Sequence, residues 1–238
     1  MIGVDSLALL TKITEVLKTD ITKELLTKEI SFRKKNEQDS QPHAFLDRLK
    51  KRRSIMDLGQ RIDSSQSDLA QHIFQAVQTC PSSFMPSATR TVLLLNQSHQ
   101  QFWDMVAVQQ KRELSASIFE STEMKMQQCK RALGTILFYE DQGVLTQLQK
   151  QRPLDAHLFP MWSEQNSGMA QLAAWTALAD VGLGAHIQYY DQLDSQVAAY
   201  FSIEKTWRMK AQLVFGSIES EMMLEEQKIA ADDFKIFA

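Results

Sequence analysis

Apolar residues near the start of the chain recur every three or four positions, the spacing of one face of an α-helix. Charged residues stand between them throughout residues 7–30. The segment that follows, residues 33–42, is polar, charged and closed by Pro42, as is typical of a flexible linker. The pattern predicts an N-terminal amphipathic helix and linker over residues 1–42 and a main domain over 43–238. The apolar positions of the helix are Leu10, Ile13, Val16, Leu17, Ile21, Leu25 and Leu26.

Helix and strand patterns alternate beyond the linker. Residues 63–77 begin with Ser and Asp capping candidates and then place apolar residues on one face, which predicts a helix. Short runs of β-branched and large apolar residues predict strands at "TRTVLLLN", "GTILFYED", "GAHIQYY" and "RMKAQLVFG". The terminal "DFKIF" alternates apolar and polar residues and predicts a fifth strand. Five strands and about as many helices indicate an α+β fold.

One helical segment is apolar around most of its circumference. Residues 169–181 place leucine, alanine, methionine, tryptophan and valine in nearly every direction, so we expect this helix to be buried almost all round. Its alanines permit close helix approach, at the centre of the domain or of a dimer. Gly182 and Gly184 are expected to end the helix and turn the chain into the next strand.

Composition places the chain among ordinary globular proteins. It has 238 residues, 44% hydrophobic and 23% charged, and a formal net charge of -3, which argues against a general nucleic-acid binder. Neither Cys80 nor Cys129 belongs to a C-x-x-C pair, so nothing favours a disulfide scaffold or a zinc site. The first residues lack an apolar run long enough for a signal peptide or a membrane span. We expect a cytoplasmic protein with no membrane span.

The common catalytic templates are missing from the sequence. It has no phosphate-binding P-loop, no H-E-x-x-H helix and no G-x-S-x-G nucleophile turn. "GLGAHI" starts like a dinucleotide-binding loop but has Ile187 in place of the third glycine. The five histidines have no metal-ligand spacing, and no metal site is predicted; they are His43, His72, His99, His157 and His186.

Positive charge is concentrated just before "SIMDLG". Five of the eight residues over 46–53 are basic, against a slightly acidic chain. An anionic ligand is one explanation of this run, and a solvated or nucleic-acid-binding basic face is the other.

Several segments in a particular order resemble the nitroreductase superfamily, in the small branch typified by a fungal fatty-acid-repression protein. The resemblance covers residues 45–237, and its most specific segments are "RRSIMDLG", "GTILFYEDQ", "FPMWSEQNSGMAQLAAWTALADVGLGA" and "AQLVFGSIE". It implies a nitroreductase-like fold, with a central mixed or antiparallel sheet surrounded by helices, in a homodimer. It also implies an FMN-dependent enzyme that passes electrons from NAD(P)H to nitroaromatic, quinone or similar small-molecule acceptors by a ping-pong mechanism.

The resemblance assigns the basic run to the flavin. It implies that Arg52 binds the FMN phosphate, that Arg53 lies near the ribityl chain and that Ser54 hydrogen-bonds the ribityl chain or the ring edge. A guanidinium fork matches phosphate oxygens bidentately. For Arg53 the alternative is an ion pair with a surface carboxylate. Lys235 is implied as a second cation at the phosphate.

Two further segments of the implied site come from a turn and from the end of a strand. Pro81, Ser82 and Ser83 match the turn that reaches the flavin from the other subunit. The chain departs from the family just after them, because "MPS" over residues 85–87 replaces the usual asparagine, serine and glutamine, and a thioether is only a weak acceptor. Gln188 and Tyr189 fall where the family places backbone and side-chain donors beside the flavin N5 and O4 edge. Tyr189 replaces a common histidine.

Other functions and another arrangement stay open on the sequence. A flavin-poor member could act as an interaction or regulatory module through the amphipathic helix of residues 7–30. A nucleic-acid-binding module built on "DRLKKRR" is a third reading. The terminal strand is expected to add to the partner's sheet in the dimer, and pairing within its own chain is the alternative.

Overall fold

The structure is a computed structural model that describes residues 44–84, 86–220 and 235–237. The chain divides into two units, Met1–Asp47 and Arg48–Ala238. The fold described below is that of the second unit. The predicted N-terminal amphipathic helix and its linker lie outside the described residues, as does Met85.

An antiparallel sheet forms the centre of the second unit. Its strands are β1 (Leu58–Gly59), β2 (Thr89–Leu95), β3 (Gly134–Asp141), β4 (Leu183–Gln188) and β5 (Trp207–Ile218). The long β5 pairs with β1, β3 and β4, and β2 pairs with the other edge of β3. Every paired strand runs antiparallel to its neighbour, which agrees with the predicted α+β class and with the sheet implied by the resemblance.

Helices connect the strands and cover the sheet, apart from the first helix, which precedes β1 and crosses the boundary between the two units. The described residues contain α1 (Ala44–Lys51), α2 (Gln66–Gln78), α3 (Asn96–Glu113), α4 (Ala116–Arg131), α5 (Gln142–Gln151), α6 (Phe159–Asp180) and α7 (Asp194–Phe201). Ser65 begins α2 as the predicted type of cap, because its side chain accepts a hydrogen bond from the backbone N–H of Asp68. Short 3-10 helices at Pro153–Leu158 and Asp191–Leu193 complete the connections.

Alternate side chains of the central strands enter two different cores. On β3, Leu137 and Tyr139 pack into a core with residues of α3 and α4. Ile136 and Phe138 point the other way, into a core with residues of α2 and α6. The two-residue period of a strand therefore places a helical layer on each face of the sheet.

The strand predictions from apolar runs are confirmed for β2, β3, β4 and β5. β3 has the bounds of "GTILFYED", and β5 extends the predicted run at both ends. The terminal "DFKIF" differs, since residues 235–237 have no strand structure and residues 233 and 234 lie outside the described part. Ile236 and Phe237 are 80% and 91% exposed. The alternative of pairing within the chain is therefore wrong for residues 235–237, whereas their addition to a partner's sheet stays a prediction.

Helix α6 is longer and more one-sided than its sequence predicts. It starts at Phe159, ten positions before the predicted start, and its buried side chains form one stripe at helical spacing. On the opposite side Met161 and Leu172 are about half exposed. Burial almost all round is therefore wrong for the single chain. Gly182 ends the helix with a φ of 78°, as expected of a glycine cap.

Candidate functional site

The basic segment after α1 lies against the second half of α6. The guanidinium carbon of Arg52 is 4.7 Å from the centroid of the Trp175 ring, within cation–π distance. One turn earlier, Arg48 Nε is 3.1 Å from Asp180 Oδ1. Because both partners of that ion pair are partly exposed, it orients the segment but stabilises it little.

Ser54 joins this segment to the sheet. It forms an isolated parallel bridge with Ala185 of β4, and the N–H of Ile55 donates to the Ala185 carbonyl at 3.0 Å. Gly184 permits the close approach, because a Cβ there would lie 3.0 Å or less from Leu58, Ile55 and Ile218. Arg52, Arg53 and Ser54 are thus held half-buried between α6 and the start of β4.

The Arg52 environment fits a phosphate group. The Trp175 ring stabilises the positive charge of Arg52 but supplies no oxygen acceptor for its N–H groups. Trp175 Nε1 is a buried donor that has no hydrogen-bond partner within the described part of the chain. A cation that lies over an aromatic ring, next to another donor without an acceptor, suits an acceptor-rich anionic ligand.

The Pro81–Ser82–Ser83 turn is held by α6 through one buried amide. Asn166 Oδ1 accepts from the backbone N–H and the hydroxyl of Ser83, and Asn166 Nδ2 donates to Ser82 Oγ, all at 3.3 Å. Phe84 packs its ring on Phe159 and Trp162, with centroids 4.9 and 5.0 Å away. The sequence analysis did not single out Asn166. The one signal in the sequence is that helical spacing places this polar amide among the apolar residues on the buried side of α6.

These two segments contact opposite faces of α6. Trp175 follows Asn166 by nine residues, which at 3.6 residues per turn is about two and a half turns, or roughly 13 Å along the axis. Half a turn places the two side chains about 180° apart around the helix. The chain therefore does not bring Arg52 together with Ser82 and Ser83 in one pocket.

The end of β4 places Gln188 and Tyr189 in opposite surroundings. Gln188 is 7% exposed, and its Nε2 donates to His186 Nδ1 at 2.8 Å, so its side chain points into the core. Tyr189 is 70% exposed. Tyr190 turns back inward, where its N–H donates to Gln212 Oε1 at 2.7 Å. Both residues are predicted to contact the flavin edge. The side chain of Tyr189 is exposed and can do so, whereas the side chain of Gln188 is buried, so only its backbone can.

His186 is a neutral buried base in this arrangement. Burial, with a smaller contribution from Lys125, lowers the pKa of His186 to about 4. When Nδ1 accepts from Gln188, the proton sits on Nε2, which has no partner in the described residues. Such a histidine is uncharged near neutral pH and suits a structural role better than acid–base chemistry.

A bulge in β5 fixes the N-terminal half of α6. The pairing of β3 and β5 shifts between Phe138 and Tyr139, and Lys210 in the bulge lies 2.6 Å from Glu164 and 3.3 Å from Glu140. Burial of Lys210 opposes its charge, but the two carboxylates outweigh burial and raise its pKa. This network connects β5 to α6 two residues before Asn166, the residue that holds the serine turn.

The remaining predicted site residue is Lys235, near the C-terminus. Lys235 is exposed, and the described residues make no hydrogen bond or ion pair with it. None of the described helices is long and apolar enough to cross a membrane. Over the same residues, no group of three or more His, Cys, Asp or Glu side chains could hold a metal ion.

A comparison with known protein families assigns most of this chain to one of them. The family model described as Nitroreductase family matches residues 49–217. The chain belongs to the nitroreductase family. The match begins within α1 and runs to Ser217, one residue before the end of β5, and so includes Arg52, the serine turn and residues 188 and 189. The predicted resemblance is confirmed, and membership makes the chain an oxidoreductase.

Named relatives include two yeast proteins and one solved bacterial enzyme. Nitroreductase FRM2 of Saccharomyces cerevisiae is 28% identical over 176 residues, which cover 72% of this chain and 86% of FRM2. HBN1 of the same yeast is 31% identical over 157 residues, covering 63% of this chain and 75% of HBN1. Nitroreductase CinD from Lactococcus lactis, in complex with chloramphenicol, matches with a TM-score of 0.73 and 35% identity over 82% of this chain and 99% of CinD. The fungal resemblance and the nitroreductase-like fold are therefore both confirmed.

Proposed function

We propose that this nitroreductase is a homodimeric FMN-dependent enzyme that transfers electrons from NAD(P)H to nitroaromatic, quinone or similar acceptors. The observation that carries the proposal is the cation–π contact of Arg52 with Trp175 beside Ser54 and β4, since it brings together a cation and a buried donor for an anionic ligand. When bound, FMN accepts a hydride from the nicotinamide and passes electrons to the second substrate.

The chain's own residues bind and orient rather than react. Arg52 holds the phosphate bidentately, Arg53 lies along the ribityl chain, and Ser54 hydrogen-bonds the ribityl chain or the ring edge. The backbone of Gln188 and the exposed Tyr189 line the ring edge. Lys235 adds a second cation at the phosphate. We name no catalytic acid or base, because hydride transfer needs none from the protein.

The opposed faces of α6 support a site shared between two subunits. A single chain keeps Arg52 about 13 Å along the helix and half a turn from the Asn166-bound serines. In the proposed dimer, Arg52 of one subunit meets Pro81, Ser82 and Ser83 of the other. Each dimer then carries two equivalent sites related by two-fold symmetry.

The open face of α6 supports the same assembly. Met161 and Leu172 are half exposed there, and a Cβ at Gly168 would meet nothing within 4 Å. A mid-helix glycine costs about 1 kcal/mol relative to alanine, and nothing inside the chain requires it. Close approach by a second copy explains both the glycine and the exposed apolar side chains, and the exposed Ile236 and Phe237 supply a further apolar contact for that copy.

The acceptor class is proposed from a relative's ligands. CinD has been solved with chloramphenicol and with 4-nitrophenol, which are nitroaromatic compounds, and also with nicotinic acid. The sequence expectation of a cytoplasmic enzyme, and that of a separate N-terminal segment over residues 1–42, stay predictions.

A flavin-poor interaction or regulatory protein is the second candidate, and Met85 favours it. Where the family usually has an asparagine, the thioether offers no donor and only a weak acceptor to the ring. The two candidates differ in colour and in activity.

Purification and spectroscopy test the proposal. We expect full-length protein, reconstituted with FMN and desalted, to retain about one FMN per chain and to show flavin absorption. It should then oxidise NADH or NADPH when 4-nitrophenol, chloramphenicol or a quinone is added. Protein that stays colourless after reconstitution and oxidises neither nucleotide would instead support the interaction protein.

A further inference from the structure

The turn after β4 is tied to β5 by a hydrogen bond to a fully buried side chain. The backbone N–H of Tyr190 donates to Gln212 Oε1 at 2.7 Å. Gln212 is 0% exposed and stands directly opposite Gln188 in the β4–β5 pairing. A side chain from the middle of the sheet thus fixes the first residues beyond the strand.

Gln212 belongs to a polar group inside an otherwise apolar core. Because of the strand period, it shares one face of the sheet with His186 and Gln188, the face covered by α3 and α4. Gln212 Nε2 and His186 Nε2 both lack a hydrogen-bond partner among the described residues. A buried donor without an acceptor is unfavourable, and an apolar side chain of similar shape would avoid that cost. The group therefore requires an explanation other than packing.

Tyr190 is fixed through its ring as well as its backbone. Its ring meets the buried Trp103 edge to face, with centroids 5.8 Å apart. Since both the ring and the N–H of Tyr190 are held inside, the preceding Tyr189 is turned outward, where it is 70% exposed.

We infer that Gln212 is a positioning residue of the flavin site, which sets the backbone of residues 188 and 189 and the ring of Tyr189 against the flavin edge through its bond to Tyr190. This inference rests on the proposed function, because only FMN binding places those residues at a reacting ring. Gln212 itself touches no substrate or cofactor.

Three substitutions of Gln212 separate positioning from packing. Gln212→Met keeps an unbranched side chain of similar length, and Gln212→Leu keeps an apolar one, but neither retains the amide oxygen. Gln212→Glu retains an oxygen acceptor, and burial favours the uncharged acid, which has nearly the same shape as the amide. Ile73→Val is the matched control, since it removes a buried methyl group from the other core and touches nothing at the turn.

The test uses full-length, FMN-loaded protein and three readouts. In the Met and Leu variants we expect faster hydrogen exchange at the Tyr190 amide, by about tenfold or more for the loss of one hydrogen bond. We also expect a shifted visible flavin band and a changed flavin reduction potential. Gln212→Glu should keep the exchange rate, the flavin band and the reduction potential close to their wild-type values. Ile73→Val should leave the band and the potential unchanged.

The outcomes separate this inference from the proposed function. Wild-type protein that binds FMN, with Met or Leu variants of unchanged flavin band and potential, would overturn the positioning role alone. A flavin band that shifts equally in Ile73→Val would overturn it too, since general loosening would then explain the shift. Wild-type protein that binds no FMN would overturn both.

Discussion

The basic segment and the serine turn both lie on α6, yet they use it in opposite ways. The guanidinium carbon of Arg52 lies over the Trp175 ring, 4.7 Å from its centroid. The serine hydroxyls already donate within the chain, Ser83 to Asn166 Oδ1 and Ser82 to the Phe84 carbonyl at 2.7 Å. One segment therefore offers donors and positive charge, whereas the other offers oxygen acceptors.

The two segments also face away from each other. Their contacts on α6 lie about two and a half turns apart along the helix axis and about 180° apart around it. The basic segment and the serine turn can therefore form one complete site only if a second copy of the chain supplies the missing segment. The predictions below test this division, in order of decreasing expected effect.

Leu172→Asp should have the largest effect, because it places a charge on the open face of α6. The residue is 46% exposed, so the single chain should tolerate the substitution, but burial of an unpaired carboxylate in a dimer interface costs several kcal/mol. We expect a folded monomer that retains no FMN, measured by light scattering and flavin absorption. Ile118→Asp, on an α4 side chain that is 51% exposed, is the control and should remain dimeric. A dimeric, yellow Leu172→Asp protein would contradict the shared site.

Arg52→Ala should have the second largest effect, because it removes the cation of the basic segment without changing the serine turn. Loss of a charge-assisted contact to phosphate costs about 1.5–3 kcal/mol, which is roughly a 10- to 150-fold rise in the FMN dissociation constant. Arg48→Ala is the matched control, since its exposed pair with Asp180 contributes about 0–1 kcal/mol to folding. Equal FMN dissociation constants in the two variants, by titration, would remove the assignment of Arg52.

Asn166→Leu should weaken FMN binding less than Arg52→Ala does, because it loosens the serine turn without removing a charge. It removes the three hydrogen bonds that hold Ser82 and Ser83, and these are long, at 3.3 Å. We expect the FMN dissociation constant to rise by about fivefold, or about 1 kcal/mol, while the protein stays folded and dimeric. Ser167→Ala, one position along the same helix, is the control and should leave FMN affinity unchanged.

Met85→Asn should have the smallest effect, in the direction of tighter binding. An amide can donate to and accept from the ring edge where the thioether offers only a weak acceptor. We expect a gain of about 1 kcal/mol or less in FMN affinity, or a faster reduction by NADH in stopped-flow measurements. Unchanged affinity and rate would show that Met85 is neutral at the site.

Strands and caps followed directly from local patterns. β3 matched its apolar run because both of its faces are buried, and Ser65 capped α2 because a hydroxyl near a helix start has an N–H to accept from. The alternation in "DFKIF" did not show where the segment pairs, because period two shows only that a segment could pair, not whether the partner strand lies in the same chain. The apolar circumference of α6 misled for a related reason: sequence does not tell burial inside a chain from burial between chains.

The site was predictable in part. The order of motifs pointed to Arg52, Ser54 and the serine turn, whereas Asn166 and Gln212 carried no local signal. Their roles depend on which residues of distant segments they meet: Ser83 lies 83 positions from Asn166, and Tyr190 lies 22 from Gln212. Buried amides of this kind become recognisable only once the fold has placed their partners.

Mixed dimers test the shared site most directly. Subunits with Arg52→Ala and subunits with Asn166→Leu, each carrying a different affinity tag, can be co-expressed and purified as heterodimers through both tags. If each site joins Arg52 of one subunit to the serine turn of the other, the heterodimer has one site with both substitutions and one site with neither. We predict that it binds one FMN with wild-type affinity, whereas neither homodimer binds any with that affinity. A heterodimer in which no site regains wild-type affinity would contradict the account, because each site would then be built within a single chain.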